Sequence, residues 1–204
     1  VWNVTYMPTG GSQAKQTYAC LSLNWGILAD VDIESEQMRC LGGARFTIGA
    51  AKRLCWLRRY EGSLFYLDAQ REDDTVPPID QPLPASWSEL HGEFMVVWAM
   101  NTTHAATDCI PAPDARMDNG WIELVIVRNT GRGQLLRGML GLENGTHTQV
   151  PGWETVACKA FRLEGARRGS PLSSRVVVDG ELLEPVSCVQ VEVSRAESHF
   201  FTYK

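Results

Sequence analysis

A mainly β chain, folded as an antiparallel β-sandwich with two or three short helices, is the architecture this sequence predicts. Short alternating apolar and polar runs recur from end to end, and clusters of turn-forming residues separate them. Strand follows strand without the strand–helix alternation that a parallel sheet requires. No repeat of about 20 to 50 residues interrupts this pattern, which points to one domain over residues 1–204.

The elements follow in order. Val1 to Met7 (V-W-N-V-T-Y-M) and Thr17 to Leu23 alternate, and P-T-G-G-S at Pro8 to Ser12 joins them as a hairpin. Trp25 to Arg45 then sets apolar residues beside Asp30, Asp32, Glu34 and Glu36, and closes on Arg39 and Arg45. As a helix it would place Asp32, Glu36 and Arg39 on one face, able to hold a cation and an anion together. Phe46, Ala50, Leu54 and Leu57 predict an amphipathic helix over Phe46 to Leu57, and Ser63 to Leu67 reads as a strand.

Asp68 to Ser86 carries Pro77, Pro78, Pro82 and Pro84, which exclude a helix or central strand and predict a mobile excursion. Alternation resumes in Glu93 to Met100. A loop over Asn101 to Gly120 leads into the strand Trp121 to Arg128, and Gly133 to Leu142 reads as a helix with a broad leucine face. Strands return at Thr155 to Leu163, Arg175 to Val178, Leu182 to Glu184, Val189 to Val193 and His199 to Tyr203. Asp179-Gly180-Glu181 forms a tight turn in which Gly180 takes positive φ.

Composition excludes several functions. A net charge of -5 disfavours a broad nucleic-acid surface. No apolar run reaches the roughly 20 residues a bilayer-spanning helix needs. Six cysteines lie far apart with no C-x-x-C pair, which argues for free buried thiols over disulfides and against zinc. Sequons at Asn3, Asn101 and Asn144 pull only weakly towards secretion. There is no G-x-S-x-G, Walker loop or G-x-G-x-x-G, and His91, His104, His147 and His199 occupy unrelated contexts, so no catalytic base or complete nucleotide site is encoded. Val1 opens directly in a strand-like run, which reads as a domain excised from a longer chain.

Taken in order, W-G-I-L-A-D-V-D-I-E-S-E-Q-M-R, G-x-A-R-F-T-I-G, R-R-Y-E-G-S-L-F-Y-L, P-A-P, G-W-I-E-L-V-I-V-R, Q-L-L-R-G-M-L-G-L-E-N-G-T-H, K-A-F-R-L-E and V-V-D-G-E-L resemble the eukaryotic sphingosine kinases. The resemblance covers most of the chain and corresponds to that family's C-terminal lipid-binding β-sandwich. It implies transfer of the ATP γ-phosphoryl group to the primary hydroxyl of sphingosine or a related long-chain base. The nucleotide-binding domain, with its S-G-D-G loop and general base, lies outside this chain, which would be inactive in isolation. Ceramide or diacylglycerol kinases of the same superfamily, and a non-catalytic lipid-binding sandwich, are the alternatives.

By resemblance, Asp32 pairs with the sphingoid ammonium, and Ser22 supplies a neighbouring polar contact. Arg39 and Arg45 grip phosphate, while Gly180 and Glu181 face the nucleotide or its Mg2+. Ile27, Leu28, Phe46, Ala50, Leu54, Val125, Val127, Leu135, Met139, Leu142 and His147 line the alkyl chain, and Gly138 and Met139 stand where the family carries bulkier residues. ATP and Mg2+, both held mainly by the other domain, are the implied cofactors. The implied setting is cytoplasmic with peripheral membrane contact, and homodimerisation through strand edges is compatible with it.

Overall fold

The structure, a computed structural model, describes residues 1–35, 44–72, 75–167 and 169–194; the side chains at 35, 44–47, 50 and 51 are not among those described. It contains β1 (Trp2–Pro8), β2 (Lys15–Ala19), β3 (Ser22–Gly26), α1 (Ile27–Ser35), α2 (Ala44–Cys55), β4 (Tyr60–Asp68), β5 (Ser88–Met100), β6 (Ile122–Arg128), α3 (Arg132–Gly141), a 3-10 turn (Thr146–Gln149), β7 (Trp153–Gly165), β8 (Val176–Val178), β9 (Glu181–Leu182) and β10 (Val186–Val193). The strand expected over His199 to Tyr203, together with Arg39, Glu36 and Cys40, lies outside the described residues, as do the side chains of Arg45, Phe46 and Ala50.

The strands run antiparallel in the order β2-β1-β10-β7-β4-β5-β3-β8-β9, and β6 joins β5 to β7. Two long strands make this a sandwich. β5 pairs with β4 through Ser88–Phe94 and with β6 over Phe94–Met100. β7 pairs with β6 over Trp153–Cys158 and with β4 over Cys158–Gly165. Each changes partners half-way along, and irregular register at Phe94/Val96 and Leu67/Asp68 accommodates the change.

This explains why Phe94 to Met100 is buried throughout rather than alternating. One face packs into the sandwich and the other lies under helices, so both sets of side chains must be apolar. Trp25 anchors the inner face, with its ring centroid 5.9 Å from those of Tyr60 and Phe94, both edge-on. Gly62 leaves room for it, since a Cβ there would stand 3.1 Å from the Trp25 ring.

Two sequence expectations are corrected. Thr17 to Leu23 is not one strand: β2 ends at Ala19 and β3 starts at Ser22, because the Asp179 carboxylate binds the amides of Cys20, Leu21 and Ser22 and turns the chain between partners. The proline-rich excursion is also anchored rather than mobile. Arg162, 2% exposed, donates to the carbonyls of Gln81 at 2.8 Å and Pro78 at 3.0 Å, while its Nε holds Gln190 Oε1 at 2.7 Å. Buried backbone carbonyls require donors, and a guanidinium supplies several at once. Cys20, Cys55, Cys109, Cys158 and Cys188 are free as expected, yet only Cys158 is fully buried.

Candidate functional site

The register of β3, β5, β6 and β7 lays out a sheet face in three rows. Ser22, Met100, Glu123 and Ala157 stand opposite one another in the first; Asn24, Trp98, Val125 and Thr155 in the second; Gly26, Val96, Val127 and Trp153 in the third. Because alternate residues share a face, all twelve belong to the side facing away from Leu23 and Trp25. The face is graded, with Ser22 and Glu123 at one end and Val127 and Trp153 at the other. Burial raises the Glu123 carboxyl above its ordinary value, and Asp114 adds to the effect.

Helices cover the apolar end. A Cβ on Gly138 of α3 would come within 2.0 Å of the Trp153 indole, so the missing side chain is where Trp153 sits. His147, from the 3-10 turn, meets the same indole edge-on at 5.5 Å. Its Nε2 lies 2.8 Å from the Pro111 carbonyl oxygen, which accepts, so Nε2 carries the proton. Burial holds the imidazole below its ordinary value, in keeping with this neutral form. Val125, Val127, Leu135, Leu142 and His147 are all buried, with Met139, Leu28 and Leu54 half-buried at the margin of the same core. Ile27, at the start of α1, is core. In α3 the leucine face divides: Leu135 is buried, while Leu136 and Leu140 are exposed.

The polar end is organised by Asp179. Asp179 and Gly180 adopt φ of 49° and 84°, a pair of left-handed residues that closes the β8–β9 hairpin. From there the Asp179 carboxylate accepts from the amides of Cys20 at 2.7 Å, Leu21 at 2.9 Å and Ser22 at 2.8 Å. The turn carrying Gly180 and exposed Glu181 is thereby fixed beside Ser22. The signal was present in the sequence, since Asp-Gly is the usual pair for such a turn. Its distant amide partners were not legible.

A second centre lies on α1. Gly26, at φ 99°, turns β3 into the helix; a Cβ there would lie 2.4 Å from the Met95 carbonyl oxygen. Asp30 is buried and accepts from Tyr60 Oη at 2.6 Å and Ser174 Oγ at 3.0 Å. Arg53 and Arg58 approach the same carboxylate at 3.1 and 3.4 Å, and Arg53 also pairs with Glu34. Four segments of chain therefore meet at Asp30, one residue pair before half-buried Asp32. Glu34 thereby holds Arg53, and Lys52 lies 3.4 Å from its other oxygen. Burial, followed by the hydrogen bond to Asp30, raises the Tyr60 phenol far above its ordinary value.

As a class, this is a β-sandwich-like domain with a helix-covered sheet face graded from polar to apolar. Residues 22–196 match the family described as the YegS C-terminal NAD kinase beta sandwich-like domain, and the chain belongs to that family, within the diacylglycerol and sphingosine kinase superfamily. The chain is similar to sphingosine kinase 1 of Rattus norvegicus, 34% identical over 191 residues, covering 84% of this chain and 49% of the relative. It is also similar to sphingosine kinase 1 of Homo sapiens, 36% identical over 188 residues, covering 81% and 47% respectively. It thus spans about half the length of the curated relatives it matches. A Bacillus anthracis protein assigned as a diacylglycerol kinase shares the fold, at TM-score 0.50 and 18% identity, with 93% of this chain and 52% of that one covered.

Proposed function

We propose that the chain is the lipid-binding half of a kinase that transfers the ATP γ-phosphoryl group to the primary hydroxyl of sphingosine or a related long-chain base. The graded face under α3 carries this reading: a polar end suits an amino-alcohol head and an apolar end suits a single alkyl chain, at about 0.8 kcal/mol per buried CH2. The 34–36% identity to sphingosine kinases supports it. Asp32 pairs with the ammonium. Arg39 and Arg45 take the phosphate bidentately, as guanidinium forks do. Glu181 and Gly180 face the nucleotide from the hairpin tip.

The donor set fits ATP and Mg2+ in a limited way. Asp179 is committed to three backbone amides, leaving Glu181 as the exposed carboxylate of the turn, and Mg2+ commonly takes one or two carboxylates plus phosphates. When bound, the ion neutralises charge on the phosphates. A nucleotide-binding domain outside these residues contributes the general base.

Membrane contact is peripheral and cytoplasmic in this reading. Leu136 and Leu140, at 43% and 68% exposure, share α3 with exposed Arg132 and Arg137, which suits an anionic bilayer surface. Among the described residues no helix is long and apolar enough to cross a membrane. Ceramide and diacylglycerol lack the ammonium and would leave Asp32 without that cation.

The test is a substrate panel with the full-length protein and its Asp32→Asn variant. Sphingosine should be phosphorylated in preference to ceramide and diacylglycerol, and Asp32→Asn should remove most of that turnover with a smaller effect on ATP binding. Preference for a neutral lipid, or unchanged turnover in the variant, overturns the assignment.

A further inference from the structure

The middle row of the graded face holds an unsatisfied pair. Asn24 on β3 stands directly opposite Trp98 on β5, on the same face, where cross-strand side chains lie within contact reach. Both are more than nine-tenths buried, at 8% and 6% exposure. Asn24 Oδ1 has no hydrogen-bond partner, and neither has Trp98 Nε1. Trp25 and Trp153 also leave an indole N–H unbonded, but Asn24 Oδ1 is the only buried side-chain oxygen without a partner among the described residues. An acceptor and a donor are therefore both unmet in adjacent positions, at a cost that native interiors rarely tolerate.

One small group satisfies both. A hydroxyl donates its proton to Asn24 Oδ1 and accepts from Trp98 Nε1–H, whereas a methylene satisfies neither. The row lies between Ser22 and Glu123 on the polar side and Val127 and Trp153 on the apolar side. A lipid lying along this gradient presents its neck here, where the head group gives way to the alkyl chain.

We propose that Asn24 and Trp98 together bind a hydroxyl carried on the neck of the substrate one carbon beyond the 3-hydroxyl that every long-chain base has, and so select 4-hydroxylated long-chain bases. This rests on the lipid-kinase reading above and sharpens its substrate class. A site built to bond a hydroxyl discriminates against the analogue lacking it, because its own polar groups are then left buried and unpaired.

Sphinganine and 4-hydroxysphinganine differ by one hydroxyl and serve as probes. The full-length protein is compared with Asn24→Leu, of the same branched shape but larger and apolar, and with Trp98→Phe, which keeps an aromatic ring and removes the N–H. The expected result is about a tenfold higher kcat/KM for 4-hydroxysphinganine in the unsubstituted protein. In both variants that preference should fall to within about twofold, while turnover of sphinganine persists and reports an intact fold. A preference already absent from the unsubstituted protein, or unchanged in both variants, overturns the selection while leaving the kinase reading intact. Equal losses on the two bases in both variants assign Asn24 and Trp98 to packing and likewise overturn it. Phosphorylation of neither base by the unsubstituted protein overturns both the selection and the reading beneath it.

Discussion

Asp179 and Ser22 bond reciprocally: the Asp179 amide donates to the Ser22 carbonyl oxygen at 2.9 Å, and the Ser22 amide donates to Asp179 Oδ1 at 2.8 Å. Residues 157 positions apart in sequence are thus locked at the polar end of the sheet face. Asp179→Ala removes the carboxylate bonds to three amides and puts alanine in a left-handed conformation that it disfavours. The expected loss of stability in urea unfolding is about 2–4 kcal/mol. Asp179→Asn, which keeps an acceptor and tolerates that conformation, should lose clearly less.

Cys20 illustrates the same clamp through its chemistry. Although exposed, its thiol is raised above the ordinary value by burial of the sulfur and then by the 3.3 Å contact with Asp179 Oδ2. A raised value means less thiolate at mildly alkaline pH and slower attack on an alkylating agent. Mass spectrometry after brief iodoacetamide treatment at about pH 8 should show Cys55 modified well before Cys20. Asp179→Asn should narrow that gap; equal rates in the unsubstituted protein would contradict the clamp.

Asp30 is the joint on which α1 is set. Tyr60→Phe removes one hydrogen bond and should cost about 1–2 kcal/mol, whereas Asp30→Ala takes the acceptor from the Tyr60 and Ser174 hydroxyls, leaves Arg53 with Glu34 alone and should cost about 3–5 kcal/mol. The Tyr60 contribution is fully present below the unfolded value of 10 and is lost as pH rises from there towards the higher folded value. Alkaline unfolding curves should therefore decline less steeply above about pH 10 in Tyr60→Phe than in the unsubstituted protein.

Gly138 is required by packing rather than by backbone shape. Gly138→Ala should destabilise by about 1–3 kcal/mol, because its methyl would overlap the Trp153 ring. Gly133, in the same helix but with open space around it, is the control: Gly133→Ala should stabilise by about 0.4–1 kcal/mol. Thermal melting of the two variants should move in opposite directions.

His147 gives the domain an acid sensitivity. Its folded value is depressed by burial, so the unfolded chain takes up a proton that the folded chain refuses. The stability contributed is present above the ordinary value of 6.5 and is lost as pH falls from there through the folded value. Melting temperature should fall between about pH 7 and pH 5, and fall less in His147→Gln, where no proton is taken up on unfolding.

Much of the arrangement was readable from local patterns. Alternation located the strands, and the leucine spacing located α3. Leu135 and Leu142 could be assigned to the interior, yet spacing could not show that Leu140 faces outward, because α3 covers only part of the sheet. Asn24 is silent in the sequence for a similar reason: one asparagine in W-G-flanked apolar sequence carries no pattern, and its meaning depends on Trp98, which comes 74 residues later and is brought opposite by register.

The sequence alone determined the antiparallel, mainly β character, the places where turns occur and the family, because each depends on residue type and near spacing. Only the tertiary structure decided that β5 and β7 serve both layers, that Asp179 clamps Ser22, that Asp30 gathers α1, α2 and β4, and that Trp153 fills the space above Gly138. Those relations join residues far apart in the chain. Strand register, burial and the need to satisfy buried polar groups select them, and none of the three is a local property of sequence.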